Sequence, residues 1–249
     1  STDYCSLYLV AHSTTDSQYL FFRLTEVRNQ HTKKIEKAST KRSTMIFYYA
    51  LKTVSVALHI TLEEVGADYK ERPIDFGNAE QRSETYLGIN PKGRVPALAT
   101  EGGILTETPA ILLYLAQRFP ESGMAPLNDP FALAKLQEFN AYLCATVHVA
   151  HAHRVRGARW VDDESAIKAM QAKVPQTMGE CFGLLEAEMF RGPWVMGGQY
   201  TICDPYLFTI SNWLEGDGVD PDEFPGIAAH NRRMRERPAV ARVAAIHGV

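Results

Sequence analysis

The chain has 249 residues, a formal net charge of −3 and an apolar fraction of 45%, which suits one large soluble domain or two small ones. No basic face is evident in the body of the chain, which argues against nucleic acid as the main ligand. No apolar run of about 18 residues exists, so no membrane-spanning helix is expected. The four cysteines, Cys5, Cys144, Cys181 and Cys203, form no C-x-x-C pair, which fits a reducing compartment with buried thiols.

Residues 1–44 read differently from the rest. They are rich in Ser and Thr, and over 28–42 six basic residues face Glu36 alone. Asp3, Asp16 and Glu26 speak against a transit peptide, and six spread charges are thin for a nucleic-acid arm. Residues 21–27 have the length of a short helical turn. The expectation is an extension with little fixed structure and no catalytic role, ahead of a fold that opens at Met45.

Ile46-Phe47-Tyr48-Tyr49 reads as a buried strand. Residues 55–65 have helical spacing, with Val56, Ile60 and Leu62 inward and Glu63 and Glu64 outward. Residues 69–75 read as a second strand, pushed to an edge by Pro73, and 80–87 as a short helix. Next comes Asn90-Pro91-Lys92-Gly93-Arg94-Val95-Pro96-Ala97-Leu98, then a hairpin of 95–99 and 104–106 around Glu101-Gly102-Gly103. A Val-Pro pair opening an apolar strand is unusual, because proline gives a sheet no N–H. A cis bond there would turn the N–H and C=O of Val95 outward, free to pair with a short extended peptide. Glu107-Thr108-Pro109 then signals a helix start, and the free N–H groups of such an end suit an anion. Peptide-pairing edge and carboxylate-binding helix end together suit a small peptide with charged ends. The helix runs over 108–119 and is closed by Pro120.

The motifs NPKGRVPAL and LTETPAILLYLAQRF, in this order and spacing, resemble the glutathione S-transferases, and the resemblance covers roughly residues 45–245. It implies a thioredoxin-like βαβ-ββα domain over 45–122, a linker over 121–130 with turn composition, and an all-helical domain over 131–249 that carries the acceptor site. It also implies that Val95 pairs with the cysteinyl part of glutathione, that Pro96 is the cis proline, that Glu107 takes the ligand's α-ammonium and that Thr108 takes its α-carboxylate. Arg94 is a candidate contact to the glycine end.

A ligand thiol at the loop between the first strand and first helix would face a helix N-terminus and Lys52, both of which favour a thiolate. Three hydroxyls are candidates for the sulfur, in the order Thr53, Ser55, Tyr49; Thr53 or Ser55 can equally be a plain helix cap. Bacterial beta-type relatives carry a cysteine in this loop, but Val54 stands there, so the chain looks beta/theta-like without that cysteine.

From Phe131 onward the pattern is helical, with Leu133, Leu136, Phe139, Leu143 and Val147 in one stripe. A second long helix is expected over 166–189, with a kink or break at Pro175 and Gly179. Thr201 and Asp204 resemble the family's buried capping box, and 231–237 reads as a solvated, basic last helix. His148 and His151 share a helix face, but no nearby Asp, Glu or Cys completes a metal set, so no metal is expected. By resemblance to beta-type enzymes, Tyr142 and His148 match a Tyr and a His, the latter near the sulfur. Arg154, Arg156 and Trp160 are candidates for the acceptor pocket.

The resemblance therefore implies a cytoplasmic, homodimeric detoxification enzyme that uses glutathione as co-substrate against a small hydrophobic electrophile. Two rivals stand beside it: a glutathione-dependent peroxidase or disulfide reductase, and a non-catalytic glutathione-binding or scaffold protein on the same fold.

Overall fold

The computed structural model describes residues 44–249. The extension read over 1–44, with its short helical turn, lies outside the described residues except for Thr44. Strand β1 (Met45–Tyr49) buries Met45, Phe47 and Tyr49 on one face, as the period of two requires. It pairs in parallel with β2 (Tyr69–Pro73) and antiparallel with β3 (Ala97–Thr100), which pairs antiparallel with β4 (Gly103–Thr106). The sheet order is β2-β1-β3-β4. β2 is an edge strand ending at Pro73, where a missing N–H costs no ladder bond; the expected strand ran two residues further.

Helix α1 (Ser55–Glu64) crosses between the parallel strands, and its first eight residues are all buried. The helix expected over 80–87 is broken into a 3-10 turn at Glu80–Arg82 and α2 (Glu84–Leu87), because Ser83 leaves helical geometry and caps α2 by accepting from the Tyr86 N–H at 3.1 Å. Helix α3 (Thr108–Arg118) closes this part and stops before Pro120.

Helices α4 (Pro130–Tyr142), α5 (His148–Arg156), α6 (Glu164–Leu184), α7 (Cys203–Ser211), α8 (Pro225–Arg235) and α9 (Pro238–His247) follow. A wide π-type turn, Leu143–Val147, joins α4 to α5. Of the kink or break expected at Pro175 and Gly179, the break does not occur: α6 runs through both. Proline removes one hydrogen bond, and the burial of Val174, Met178, Cys181 and Phe182 on the same helix outweighs it. Nor is 231–237 a solvated last helix. α8 ends at Arg235, α9 follows it and packs on α1, and Arg237 is bound to Glu64.

The capping motif forms as read. Asp204 accepts from the Thr201 N–H at 2.7 Å, and the Thr201 hydroxyl accepts from the Cys203 N–H at 3.3 Å. One hydrophobic core runs from Phe47, Leu58 and Leu98 to Phe139, Phe182 and Tyr206, so the sheet and the helices share an interior. No helix among the described residues is long and apolar enough to cross a membrane.

Candidate active site

The floor of the site is the segment before β3. The Tyr86 hydroxyl and Asn90 Nδ2 both donate to the Arg94 carbonyl at 2.7 Å, which anchors the chain entering Val95. The Val95–Pro96 bond is cis. β3 begins only at Ala97, so Val95 stands just outside the ladder and its N–H and C=O take no backbone partner among the described residues. Ala97 pairs with Thr106, so the chain leaves the ladder into Glu107 and Thr108 at the same end at which Val95 and Pro96 enter it. Glu107 has a φ of 72°, uncommon for a residue with a side chain, and its carboxylate lies 2.5 Å from Lys92 Nζ. Thr108 opens α3, whose first-turn N–H groups face out of the helix end.

The loop of residues 50–54 supplies one wall, and it separates the three candidate hydroxyls. Thr53 is half-buried; it donates to the Ala50 carbonyl at 2.8 Å and accepts from the Ser55 N–H at 3.2 Å. Ser55 is fully buried, its Oγ 2.9 Å from Thr53 Oγ1 and 3.5 Å from the Ala50 nitrogen. Its hydroxyl is thus enclosed behind Thr53. Tyr49 is enclosed as well. Its ring is buried against Phe47 and His59, and its hydroxyl donates to Glu71 at 2.9 Å on the far side of β1. Burial, with the Glu71 carboxylate beside it, pushes that phenol up to about 12, the wrong direction for an acid near neutral pH.

Helix α5 supplies the opposite wall. His148 packs against Trp213, with ring centroids 5.0 Å apart. Burial, followed by the charges of His151, Arg156, Arg159 and Arg94, lowers its pKa to about 4, so the imidazole is neutral at pH 7. His151 stacks on Trp213 at 4.2 Å and lies 2.7 Å from the buried Asp217 carboxylate, which Arg154 also meets at 3.0 Å. Arg154 is thus a strut. Trp160 packs on His153 at 4.6 Å, and Tyr142 is partly buried against the hydrophobic core. None of these three lines the cavity between the walls, whereas Arg156 does.

That cavity has a volume of about 440 Å³. Its lining brings together Lys52, Thr53, Arg94, Val95, His148 and Arg156, six residues expected from the sequence. Pro96, Glu107 and Thr108, also expected at the site, do not line it. Among the described residues no group of three His, Cys, Asp or Glu stands close enough to hold a metal ion.

The family model described as glutathione S-transferase, N-terminal domain, matches residues 43–117. Glutathione S-transferase GstA of Escherichia coli O157:H7 is 32% identical over 199 residues, covering 79% of this chain and 95% of that protein. The chain belongs to the glutathione S-transferase family. A maleylacetoacetate isomerase of Pseudomonas aeruginosa is 29% identical over 206 residues, covering 78% of this chain and 95% of the relative. A solved structure of a glutathione transferase homologue from Sulfitobacter, with bound glutathione, is 43% identical with a TM-score of 0.80, covering 83% of this chain and 99% of that one.

In this glutathione S-transferase the cavity residues without a sequence signal include Phe76, Arg82, Arg159 and Trp213. They come from loops and helix ends far apart in the chain, and only tertiary folding gathers them. The misplacement of Tyr49 had a signal, since it shares the parity of Met45 and Phe47 and so the inward face of β1.

Proposed function

We propose that this chain is a glutathione transferase that binds reduced glutathione along Val95 and the start of α3, favours its thiolate at the N-terminus of α1, and directs it at a small electrophile held against α5. The observation that carries this reading is the shared cavity: Thr53, Val95 and His148 line one space. In this proposal residues 45–122 are the glutathione-binding domain and 131–249 the domain carrying the acceptor site. The extended backbone of Val95 pairs with the cysteinyl residue. The helix end at Thr108 receives the γ-glutamyl carboxylate and Glu107 its ammonium.

The sulfur then lies over the loop of residues 50–54. Thr53 turns its hydroxyl hydrogen from the Ala50 carbonyl to the thiolate, while the Ser55 N–H continues to hold Thr53 Oγ1. That donor, the α1 dipole and Lys52 act together to pull a thiol from its usual pKa of about 8.5 towards neutrality. A neutral imidazole of low basicity is a poor proton acceptor, so the thiol proton leaves to solvent and His148 orients the sulfur or the acceptor by hydrogen bonding. The carbon–sulfur bond forms from the thiolate lone pair, and the electrons displaced from carbon leave with the departing group or settle on an activated carbonyl or nitro group. Positioning supplies most of the acceleration.

A cytoplasmic homodimer completes the proposal, and sedimentation velocity tests its assembly. The central test is a glutathione titration with ultraviolet thiolate absorbance followed across pH. Saturable binding with a lowered thiol pKa in wild type, lost in Thr53→Ala and kept in Thr53→Ser, is the expected result. No saturation at millimolar glutathione would overturn the reading. Oxidation of glutathione by peroxide without conjugation to electrophiles would replace conjugation with reduction.

A further inference from the structure

We propose that the acceptor of this cavity is an anion: an electrophile with an apolar, unsaturated body and a carboxylate near its reactive carbon, held by Arg156 and Arg159. This rests on the transferase reading above and names its second substrate more narrowly than "small and hydrophobic".

Lys52, Arg82, Arg94, Arg156 and Arg159 all line the cavity, and no Asp or Glu lines it. Outside the cavity Arg72, Arg118, Arg154, Arg237 and Arg242 are each paired with a carboxylate, and the guanidinium groups of Arg233 and Arg235 donate to neutral oxygens. The five cavity cations have no carboxylate within ion-pair distance among the described residues. Their charges work against one another. Burial and then Arg94 lower the pKa of Arg156; burial, Arg156, Arg94 and Arg82 lower that of Arg159. Guanidinium groups gathered without counter-charges destabilise the fold, and an anion in the cavity relieves that repulsion.

Glutathione alone does not balance them. Its γ-glutamyl end belongs to the floor at Glu107 and Thr108, so it brings the cavity only a thiolate and the glycine carboxylate. Lys52, next to Thr53, and Arg94, next to Val95, answer those two charges. Arg82, Arg156 and Arg159 remain. Arg156 ends α5 and Arg159 ends the 3-10 turn after it, both on the acceptor side of the cavity. A guanidinium fork matches a carboxylate through two parallel hydrogen bonds. Phe76, Val155 and Trp213 add apolar and aromatic surface to the same lining, which suits the body of the molecule.

The test compares 4-chloro-3-nitrobenzoate with the uncharged 4-chloro-3-nitrobenzamide. In each, the thiolate forms a carbon–sulfur bond, chloride departs with the electrons of the broken carbon–chlorine bond, and the thiol proton goes to solvent. Each kcat/KM is divided by the uncatalysed rate constant with glutathione, which removes the difference in intrinsic reactivity. The expected preference for the acid is about tenfold or more, the discrimination that one good charge-assisted pair supplies. It should fall by a similar factor in Arg156→Gln/Arg159→Gln and decline with added salt. Equal or better use of the amide by wild type, or a preference unchanged in the double variant, would overturn the proposal.

Binding of 3-nitrobenzoate and 3-nitrobenzamide, followed by quenching of tryptophan fluorescence, gives a second readout that needs no turnover. Selective binding of the acid, lost in the double variant, with no glutathione saturation would sink the transferase reading and keep the anion site. Glutathione saturation with equal binding of acid and amide would sink the anion site and keep the transferase.

Discussion

Arg237 and Glu64 form a two-pronged ion pair between the turn before α9 and the end of α1: Nε and Nη2 lie 2.7 and 2.8 Å from the two carboxylate oxygens. The guanidinium also stacks on Tyr200 at 3.8 Å. One arginine thereby fastens the last helix and the 190–200 loop to the helix that carries the thiol-facing loop. Arg237→Gln is expected to cost about 1–3 kcal/mol, the value of a well-formed charged hydrogen-bond pair. Urea denaturation measures it, and a change within error would show that the pair is solvated in practice.

Asp204 is a stronger joint. Its buried carboxylate accepts from the N–H of Val195 at 2.8 Å and of Thr201 at 2.7 Å, and lies 3.0 Å from His230 Nε2. With the Thr201 hydroxyl, which also donates to it at 3.2 Å, Asp204→Ala strands four buried donors, so a loss of about 3 kcal/mol or more is expected. Glutathione affinity of the folded fraction should stay at the wild-type value, because none of these groups lines the cavity.

Acid should loosen the attachment of α9. His59 Nδ1 and His247 Nε2 lie 3.0 Å apart in the interior, with Glu71 Oε1 3.6 Å from the other His59 nitrogen. Burial lowers the pKa of both imidazoles, that of His247 to about 4. The unfolded chain therefore takes up protons below about 6.5 that the folded chain refuses until about pH 4. Stability should be constant above pH 6.5 and fall across that window, by at most about 1.4 kcal/mol per pH unit for each such histidine. His148 adds to the fall with the same sign. Denaturation curves at a series of pH values measure the slope, and His247→Leu should flatten it.

The three hydroxyls near α1 should part company under substitution. Tyr49→Phe removes the hydrogen bond to Glu71 and should cost about 1 kcal/mol of stability while leaving the glutathione thiol pKa at its wild-type value. Ser55→Ala should behave likewise. Only Thr53→Ala should raise the thiol pKa. Thiolate absorbance on the three variants decides, and a raised pKa in Tyr49→Phe would contradict the geometry described above.

The sheet was legible because its signals are local. Alternation marks β1, Pro73 marks an edge, and Val95-Pro96 with Glu107-Thr108 marks the floor. The thiol-facing position was legible to within a loop but not to a side chain. Choosing among Tyr49, Thr53 and Ser55 needs the direction of each Cβ, and for Tyr49 strand parity would have supplied it. The final helix has local signals in Pro238 and Gly248, which bracket it by the rules for helix starts and stops, whereas the basic run of 231–237 mimics a solvated last helix by charge alone. The cation cluster had no local signal at all. Arg82 and Arg159 stand 77 positions apart in the chain, and nothing but packing brings them to one cavity.

On the reading offered here, the tripeptide is held largely by main-chain atoms, the N–H and C=O of Val95 and the opening turn of α3, whereas the acceptor meets side chains of α5. Main-chain donors survive almost any substitution; side-chain contacts do not. Drift at Ala152, Val155, Arg156 and Arg159 can therefore change what is attacked while the nucleophile stays where it is. Evolution, or a combinatorial library confined to those positions, can explore new chemistries here without rebuilding the half of the site that makes any of them possible.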